Sequence, residues 1–284
     1  MIIYYGSLAY FMYIFIAISL AALLSFLLSK LPRTKQRRVL LIISLLNVAQ
    51  HLLKSVIYPQ YRGMGFNALS TAYNMCALLI LIMPFAYLFK WKPLRDFVFL
   101  IGSAAGLGAI AVPYWHIGES AFTADVIRFI ICHTLLFITS VTPLILKIHE
   151  PRFKVSFRLG IYFILGIGVI ILNDILCIEL GIYHGMPSGT NLEILKVANP
   201  VWSFGPPPEF SYLLDYLKPV TPSALLFSAR FGGPIPILWY ALPLYLGITL
   251  LSMPVLALLH PKGAKQFFFK ILYLIYNPYK KNKS

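Results

Sequence analysis

The sequence has few charged residues and very few acidic ones. Only 12% of its 284 residues are charged, and aspartate and glutamate together number nine. A soluble domain carries about 25% charged residues. A chain that is 59% hydrophobic therefore has too little polar surface to cover a soluble globule. Long apolar segments predict an integral membrane protein instead.

Cysteine is scarce as well. The three cysteines, Cys76, Cys132 and Cys177, all lie within apolar segments, and an odd number in such positions is not typical of a disulfide framework. No CxxC or HxxxH spacing indicates a metal site. We therefore predict no metal and no other cofactor.

Seven apolar segments are long enough to cross a bilayer. Helices are the expected form, because unpaired backbone groups are costly in lipid. We predict an all-α polytopic protein with one seven-helix membrane domain, whose spans cover about 8–29, 39–57, 72–89, 97–114, 127–146, 159–181 and 235–259. The connection 182–234 is the only long one, and it holds eight of the 20 prolines. Its prolines and aromatic residues favour an ordered cap.

The basic residues cluster in alternate connections. Eighteen of the 24 lysines and arginines fall on one side of the predicted spans, and such residues favour the cytoplasmic side. We therefore place the N-terminus outside and the basic tail 260–284 in the cytoplasm, as suits a bacterial plasma membrane. This distribution explains the net charge of +15 without a nucleic-acid partner. Membrane lipids are the expected partners, with anionic head groups near the tail.

Polar side chains within the spans are the main functional signal, because each costs about 2.5–3.5 kcal/mol at the bilayer centre. Asn47, His51 and Lys54 are spaced i, i+4, i+7, so they share one helical face. At about 1.5 Å per residue, polar groups of spans 2, 3, 5 and 6 fall roughly 6–12 Å from the same surface. We predict a single polar cavity there, formed with Asn74, Cys76, Arg128, Cys132, His133, Asn173 and Asp174.

A cysteine and a histidine in one cavity can form a nucleophile–base pair. An acid or amide can orient the imidazole, and Asn173 and Asp174 are candidates. The spacing does not choose between Cys76 and Cys132. A metal site of His51, His133 and Asp174 is a weaker alternative.

Four short segments resemble the YwaF-like family of bacterial integral membrane proteins, which includes vertebrate membrane acyltransferase relatives. They are YNMC (73–76), RFIICH (128–133), NDIL (173–176) and GPIPILWY (233–240). The resemblance covers roughly residues 40–250 and implies a seven-helix fold. It also implies a Cys76 nucleophile, a His133 base and Asn173 as a polar partner. The chain departs from the family in having Asn74, not histidine, two residues before Cys76.

The leading hypothesis is a membrane-embedded lipid acyltransferase or acyl hydrolase that uses Cys76 and His133. Asn47 or His51 could donate a hydrogen bond to the oxyanion. A rival hypothesis is a transporter or small-molecule-binding protein that uses the same cavity without catalysis. A third is a structural membrane protein whose polar groups only join helices.

Overall fold

The computed structural model describes residues 1–54, 68–182, 191–199, 201, 204–206, 211–228, 233–234 and 237–276. Within these ranges the chain is a helical membrane protein. Its helices, in chain order, are α1 (Leu8–Ser29), α2 (Arg33–Leu52), α3 (Met75–Leu88), α4 (Lys92–Ala111), α5 (Ala124–Ile145), α6 (Ser156–Glu179), α7 (Asn191–Ala198), α8 (Leu213–Leu217), α9 (Ser223–Leu226), α10 (Leu238–Leu259) and α11 (Pro261–Tyr276).

Five helices in the described part of the chain are long and apolar enough to cross a membrane: α1, α4, α5, α10, and α6 together with the short turn before it. Helix α2 begins with the basic stretch Arg33–Arg38, which lowers its mean hydropathy. Helix α3 has only 14 residues, so it is about 21 Å long. A hydrocarbon core is about 30 Å thick. The predicted count of seven spans is thus supported for five, and α2 and α3 stay a prediction.

Helix α1 shows how one apolar helix can be both packed and exposed to lipid. Its buried residues recur every fourth position and are mostly small: Ala9, Tyr13, Ala17, Ala21 and Ser25. Small residues let helix backbones approach closely in a membrane, and this stripe packs on α5. Large side chains such as Phe15 and Leu23 on the other faces are exposed, which suits contact with lipid chains.

Glycines bring the central pair of helices, α4 and α5, into close contact. A Cβ atom on Gly106 of α4 would lie 2.7 Å from the Phe137 nitrogen and 2.9 Å from the His133 carbonyl oxygen. One on Gly102 would collide with Ser140. The apolar core lies beside this contact, around Leu79 of α3, Val98 of α4 and Leu136 of α5, which are fully buried.

The connections sort into two ends of the helix bundle. At one, which we call the basic end, the Arg33 guanidinium donates to the Lys147 carbonyl at 2.9 Å and His149 bonds Asp96 at 2.7 Å. At the opposite end, the Ile3 amide donates to Glu119 and the Ala68 amide donates to Ile182. The predicted basic connections therefore share one end. Which end is cytoplasmic stays a prediction.

The long connection 182–234 contains helices α7, α8 and α9. It also contains a short antiparallel pairing of β1 (Phe227–Ser228) with β2 (Gly233–Pro234). Trp202 and two of its three consecutive prolines lie outside the described residues. Helix α11 follows α10 directly. It lies at the basic end, where the centroids of the Phe267 and Phe153 rings are 5.2 Å apart.

Candidate functional site

A group of polar side chains, which we call the polar cluster, lies between α2, α3, α5 and α6. Its members come from these four helices, from the segment before α3 and, in the case of Lys54, from the chain just past the end of α2. They are Asn47, His51, Lys54, Thr71, Asn74, Cys76, Arg128, Cys132, His133, Asn173, Asp174 and Cys177.

Asn47 and His51 on α2 are buried, and so is Lys54, which lies just past the end of this helix at Leu52. Asn47, His51 and Lys54 are 2%, 6% and 2% exposed. The Asn47 amide donates to the Cys132 carbonyl on α5 at 3.1 Å, and its side-chain oxygen accepts from Gln50 at 2.6 Å. Both polar atoms of Asn47 are therefore bonded, and the bond from its nitrogen joins α2 to α5.

His51 and Lys54 bind the backbone of the segment before α3. The His51 Nε2 atom lies 3.1 Å from the Thr71 carbonyl oxygen, and the Lys54 ammonium donates to the Leu69 carbonyl. The ring of Tyr73 stacks on His51 and lies under the Lys54 ammonium, 4.9 Å from its nitrogen. These side chains satisfy carbonyl groups that no helix pairs, as a buried irregular segment requires.

Thr71 joins three elements and was not among the predicted site residues. Its hydroxyl donates to the Ala68 carbonyl at 2.6 Å and accepts from the Asn173 amide at 2.8 Å. It also lies 3.5 Å from the Cys177 sulfur. The only sequence signal was a polar residue just ahead of the third apolar segment.

Helix α3 begins deep inside the bundle. A Cβ on Gly166, in the middle of α6, would lie 3.2 Å from the terminal methyl of Met75, the first residue of α3. The Asn74 side chain caps the helix by accepting from the Ala77 amide at 2.8 Å. Cys76 is the second residue of α3, so the amides of Met75 and Cys76 have no partner within the helix.

His133 makes one hydrogen bond that fixes the chemistry of its ring. Its Nδ1 atom lies 2.8 Å from the Phe129 carbonyl oxygen. A carbonyl oxygen can only accept, so Nδ1 carries the hydrogen. In the neutral ring Nε2 then holds the lone pair. The ring also packs on Phe129, with centroids 4.2 Å apart.

Arg128 is a half-buried charge that interacts with both histidines of the cluster. Its guanidinium donates twice to one carboxylate oxygen of Asp125, at 2.9 and 3.0 Å. It interacts electrostatically with His51, Lys54 and His133. Asp125 was not a predicted site residue, although its i, i+3 spacing to Arg128 is a signal for such a pair.

Among the described residues, Cys76 and His133 are not hydrogen-bonded to each other. Cys76 is half-buried and interacts with Cys132, the residue before His133. The assignment of Cys76 and His133 as a catalytic pair therefore stays a prediction. Catalytic hydrogen bonds often form only in the substrate complex.

Asp174 is the least satisfied member of the polar cluster. It is 1% exposed, and neither carboxylate oxygen has a hydrogen-bond partner among the described residues. Asn173 beside it is bonded to Thr71. Within the same ranges, no group of three His, Cys, Asp or Glu residues has a metal-binding arrangement.

A family model for the TMEM164 family matches residues 4–232. The chain belongs to the TMEM164 family. The match includes the whole polar cluster and ends before α10. Comparisons with curated proteins and with solved structures give no match.

A second feature of this TMEM164-family chain is an apolar cavity of about 540 Å³. It lies beside α10, and no pattern in the sequence predicted it. Its walls include Met75 of α3, Ile167 of α6, Leu213 of α8 and, on α10, Trp239 and Leu251. Met75 places one wall of the cavity next to Cys76 in the chain.

Proposed function

We propose that this protein is a membrane-embedded acyltransferase or acyl hydrolase that acts on membrane lipids. The Cys76 sulfur attacks the carbonyl carbon of an acyl ester, and His133 Nε2 takes the thiol proton. The ester carbon–oxygen bond then breaks, His133 protonates the departing alkoxide, and the acyl group remains as a thioester on Cys76.

A second molecule completes the reaction. A lipid hydroxyl group or water attacks the thioester while His133 takes its proton, and the proton then returns to the Cys76 sulfur. The product is a new ester in the first case and a free fatty acid in the second. The sequence of steps needs no cofactor.

The observation that carries this proposal is the hydrogen bond from His133 Nδ1 to the Phe129 carbonyl oxygen. It holds the imidazole in the tautomer whose Nε2 atom can accept a proton. In a Ser–His–Asp triad, a carboxylate does the same for the histidine. The proposal requires Cys76 to come within hydrogen-bond reach of Nε2 when substrate binds.

The position of Cys76 supports the same chemistry. The amides at the first turn of α3 have no intrahelical partner, and they are donors for negative charge that develops on the carbonyl oxygen. Both polar atoms of Asn47, and Nε2 of His51, are already bonded. We therefore assign the oxyanion to the amides of Met75 and Cys76 in preference to those side chains.

The test is to trap the thioester. The purified full chain is incubated with a phospholipid whose acyl chain is labelled, and hydroxylamine-sensitive label is mapped to peptides. We expect label on Cys76 that is absent in Cys76→Ala, with Cys177→Ala as the matched control. Undiminished acyl turnover in purified Cys76→Ala would refute the proposal.

Asp174 favours a second candidate function, a transporter or small-molecule-binding protein that uses the polar cluster. Ionisable residues buried in membrane proteins often contact ions or substrates, and the Asp174 carboxylate is buried without a partner among the described residues. This candidate predicts flux in liposomes that survives Cys76→Ala and is lost in Asp174→Asn.

We also propose that the TMEM164 family and the YwaF-like proteins share one superfamily with seven spans. The sequence resemblance is the ground for this proposal and for a bacterial plasma membrane as the location. Accessibility of single introduced cysteines to an impermeant reagent in intact cells tests the topology. Labelling at Gly6 but not at Ser29 would agree with an external N-terminus.

The tail adds a proposed lipid contact. Lys262 and Lys265 lie in the first turns of α11, and Phe268 and Phe269 are exposed on it. Basic and aromatic side chains together favour the surface of a membrane with anionic lipids. Neutral substitution of both lysines is expected to weaken binding of the purified protein to anionic lipid.

A further inference from the structure

The apolar cavity takes no part in the reaction proposed above, although Met75 in its wall directly precedes Cys76. It is bounded on one side by α10, from Trp239 to Leu251, and on the others by α3, α6 and α8. Twelve residues of α-helix rise about 18 Å, so the cavity is elongated along α10. At one end the Tyr240 hydroxyl donates to the Val201 carbonyl at 3.1 Å, and this bond holds the long connection against the helix.

The size of the cavity suits one lipid chain. Its volume of about 540 Å³ lies within the range of roughly 300–1,000 Å³ that is typical of small-molecule sites. A single acyl chain is a ligand of that size class.

The chemistry of the walls excludes a polar occupant. The lining is almost entirely aliphatic and aromatic, and a buried water needs two to four polar partners. An acyl chain, in contrast, satisfies apolar walls within a membrane by van der Waals packing. In a membrane, the apolar molecule of this elongated shape is the acyl chain of a lipid.

We propose that this cavity binds one acyl chain of a membrane lipid, with the ester end at Met75 and the chain along α10. Met75 lines the cavity, and Cys76 is the next residue at the start of α3. The inference rests on the proposed function in one respect: it takes the bound acyl chain to be the one that Cys76 transfers. Binding of a chain in the cavity stands independently of catalysis.

Gly247 offers a way to fill the cavity without disturbing its walls. It lines the cavity, and a Cβ atom added there would meet no heavy atom within 4 Å. Gly168 of α6 is equally open but exposed, and it is not among the lining residues. The same substitution at the two glycines therefore gives a matched pair.

The binding test uses the full chain with Cys76→Ala, so that no turnover can occur. A phospholipid with a photoreactive group in one long acyl chain is the probe, and labelled peptides are mapped after irradiation. We expect label on α10 between Trp239 and Leu251. Gly247→Phe should lower that label about tenfold, as an overfilled site does, whereas Gly168→Phe should leave it unchanged. Thermal unfolding checks that both variants fold, and Gly247→Leu serves if Gly247→Phe does not.

The outcomes separate the two proposals. Label on α10 that persists in folded Gly247→Phe, or label spread equally over the lipid-facing side of α1, would overturn the cavity assignment. With Cys76 restored, Gly247→Leu should lower turnover of long acyl chains more than that of short ones. Specific labelling without any turnover would leave the cavity in place and refute the enzyme. Turnover with unchanged chain-length preference would refute the cavity's role in the reaction.

Discussion

The polar cluster has two parts that differ in how many of their polar atoms are bonded. Around Thr71, the side chains of Asn47, His51, Lys54 and Asn173 all bond to a partner across the bundle. Three other groups have no such partner among the described residues: His133 Nε2, the first amides of α3 and the Asp174 carboxylate. The first group, which we call the bonded part, joins helices. The second, which we call the open part, has polar atoms that are free to take part in a reaction.

In this membrane protein, the bonding of each polar atom says more about its role than the type of residue does. A buried polar atom without a partner is costly, so most such atoms find one on another helix. Residue type alone does not separate the two parts, since each contains a histidine. What separates them is which ring nitrogen is bonded and what remains.

The largest expected effect is on the open part. We expect His133→Ala to lower acyl turnover by about 10²–10⁴-fold, the usual contribution of a general base. His116→Ala is the matched control, because its imidazole also packs on Phe129, with centroids 4.6 Å apart. Turnover of both purified variants, measured beside their unfolding temperatures, checks this. Equal losses in the two would mean that His133 only packs.

A smaller effect is expected in the bonded part. Thr71→Val removes the hydroxyl that Asn173 donates to, and leaving a buried donor unpaired costs about 1–3 kcal/mol. Thr134→Val is the control, because the Thr134 hydroxyl is buried with no partner among the described residues. We expect Thr71→Val to lower the free energy of unfolding in detergent and Thr134→Val to leave it equal or higher. Turnover per folded molecule should change little in either. A stability loss no larger in Thr71→Val than in Thr134→Val would show that the bond between Thr71 and Asn173 does not stabilise the bundle.

The smallest effect on stability is expected at Asp174. Asp174→Asn keeps the shape of the side chain and replaces a buried carboxyl group whose oxygens have no partner among the described residues. The amide cannot carry a charge, and burying an unpaired charge is costly, so we expect the unfolding temperature to stay the same or to rise. A clear decrease would show that the carboxylate belongs to the bonded part. If flux in liposomes were also lost, the transporter candidate would gain support.

Much of the helical fold could be predicted from the sequence. Helix α1 has the bounds 8–29 that its apolar run predicts, and α4, α5, α6 and α10 differ from prediction by five residues or fewer at either end. The shared face of Asn47 and His51 was also predictable, because side-chain spacing on a helix is fixed. Lys54 was expected on the same helix, but α2 ends at Leu52. Helix α2 begins six residues earlier than expected, at Arg33.

The partners of those residues could not be predicted. His51 and Lys54 bond to backbone carbonyls of Thr71 and Leu69, and backbone groups leave no trace in residue type. The depth at which α3 begins could not be predicted either. It shows only in the contact between Met75 and Gly166, two residues far apart in the sequence. The cavity along α10 depends on how α6, α8 and α10 diverge, which no local pattern specifies.

The segment before α3 also constrains how the chain is made. Its groups bond to residues far along the sequence: Thr71 to Asn173, and the Ala68 amide to Ile182. Translation proceeds at about 5–20 residues per second, so α6 follows this segment by roughly 5–20 seconds. Before α6 is made, the described side chains that already bond to this segment are those of His51 and Lys54. Helix α3 is therefore expected to enter its final position late in biosynthesis, with α6, rather than in sequence order.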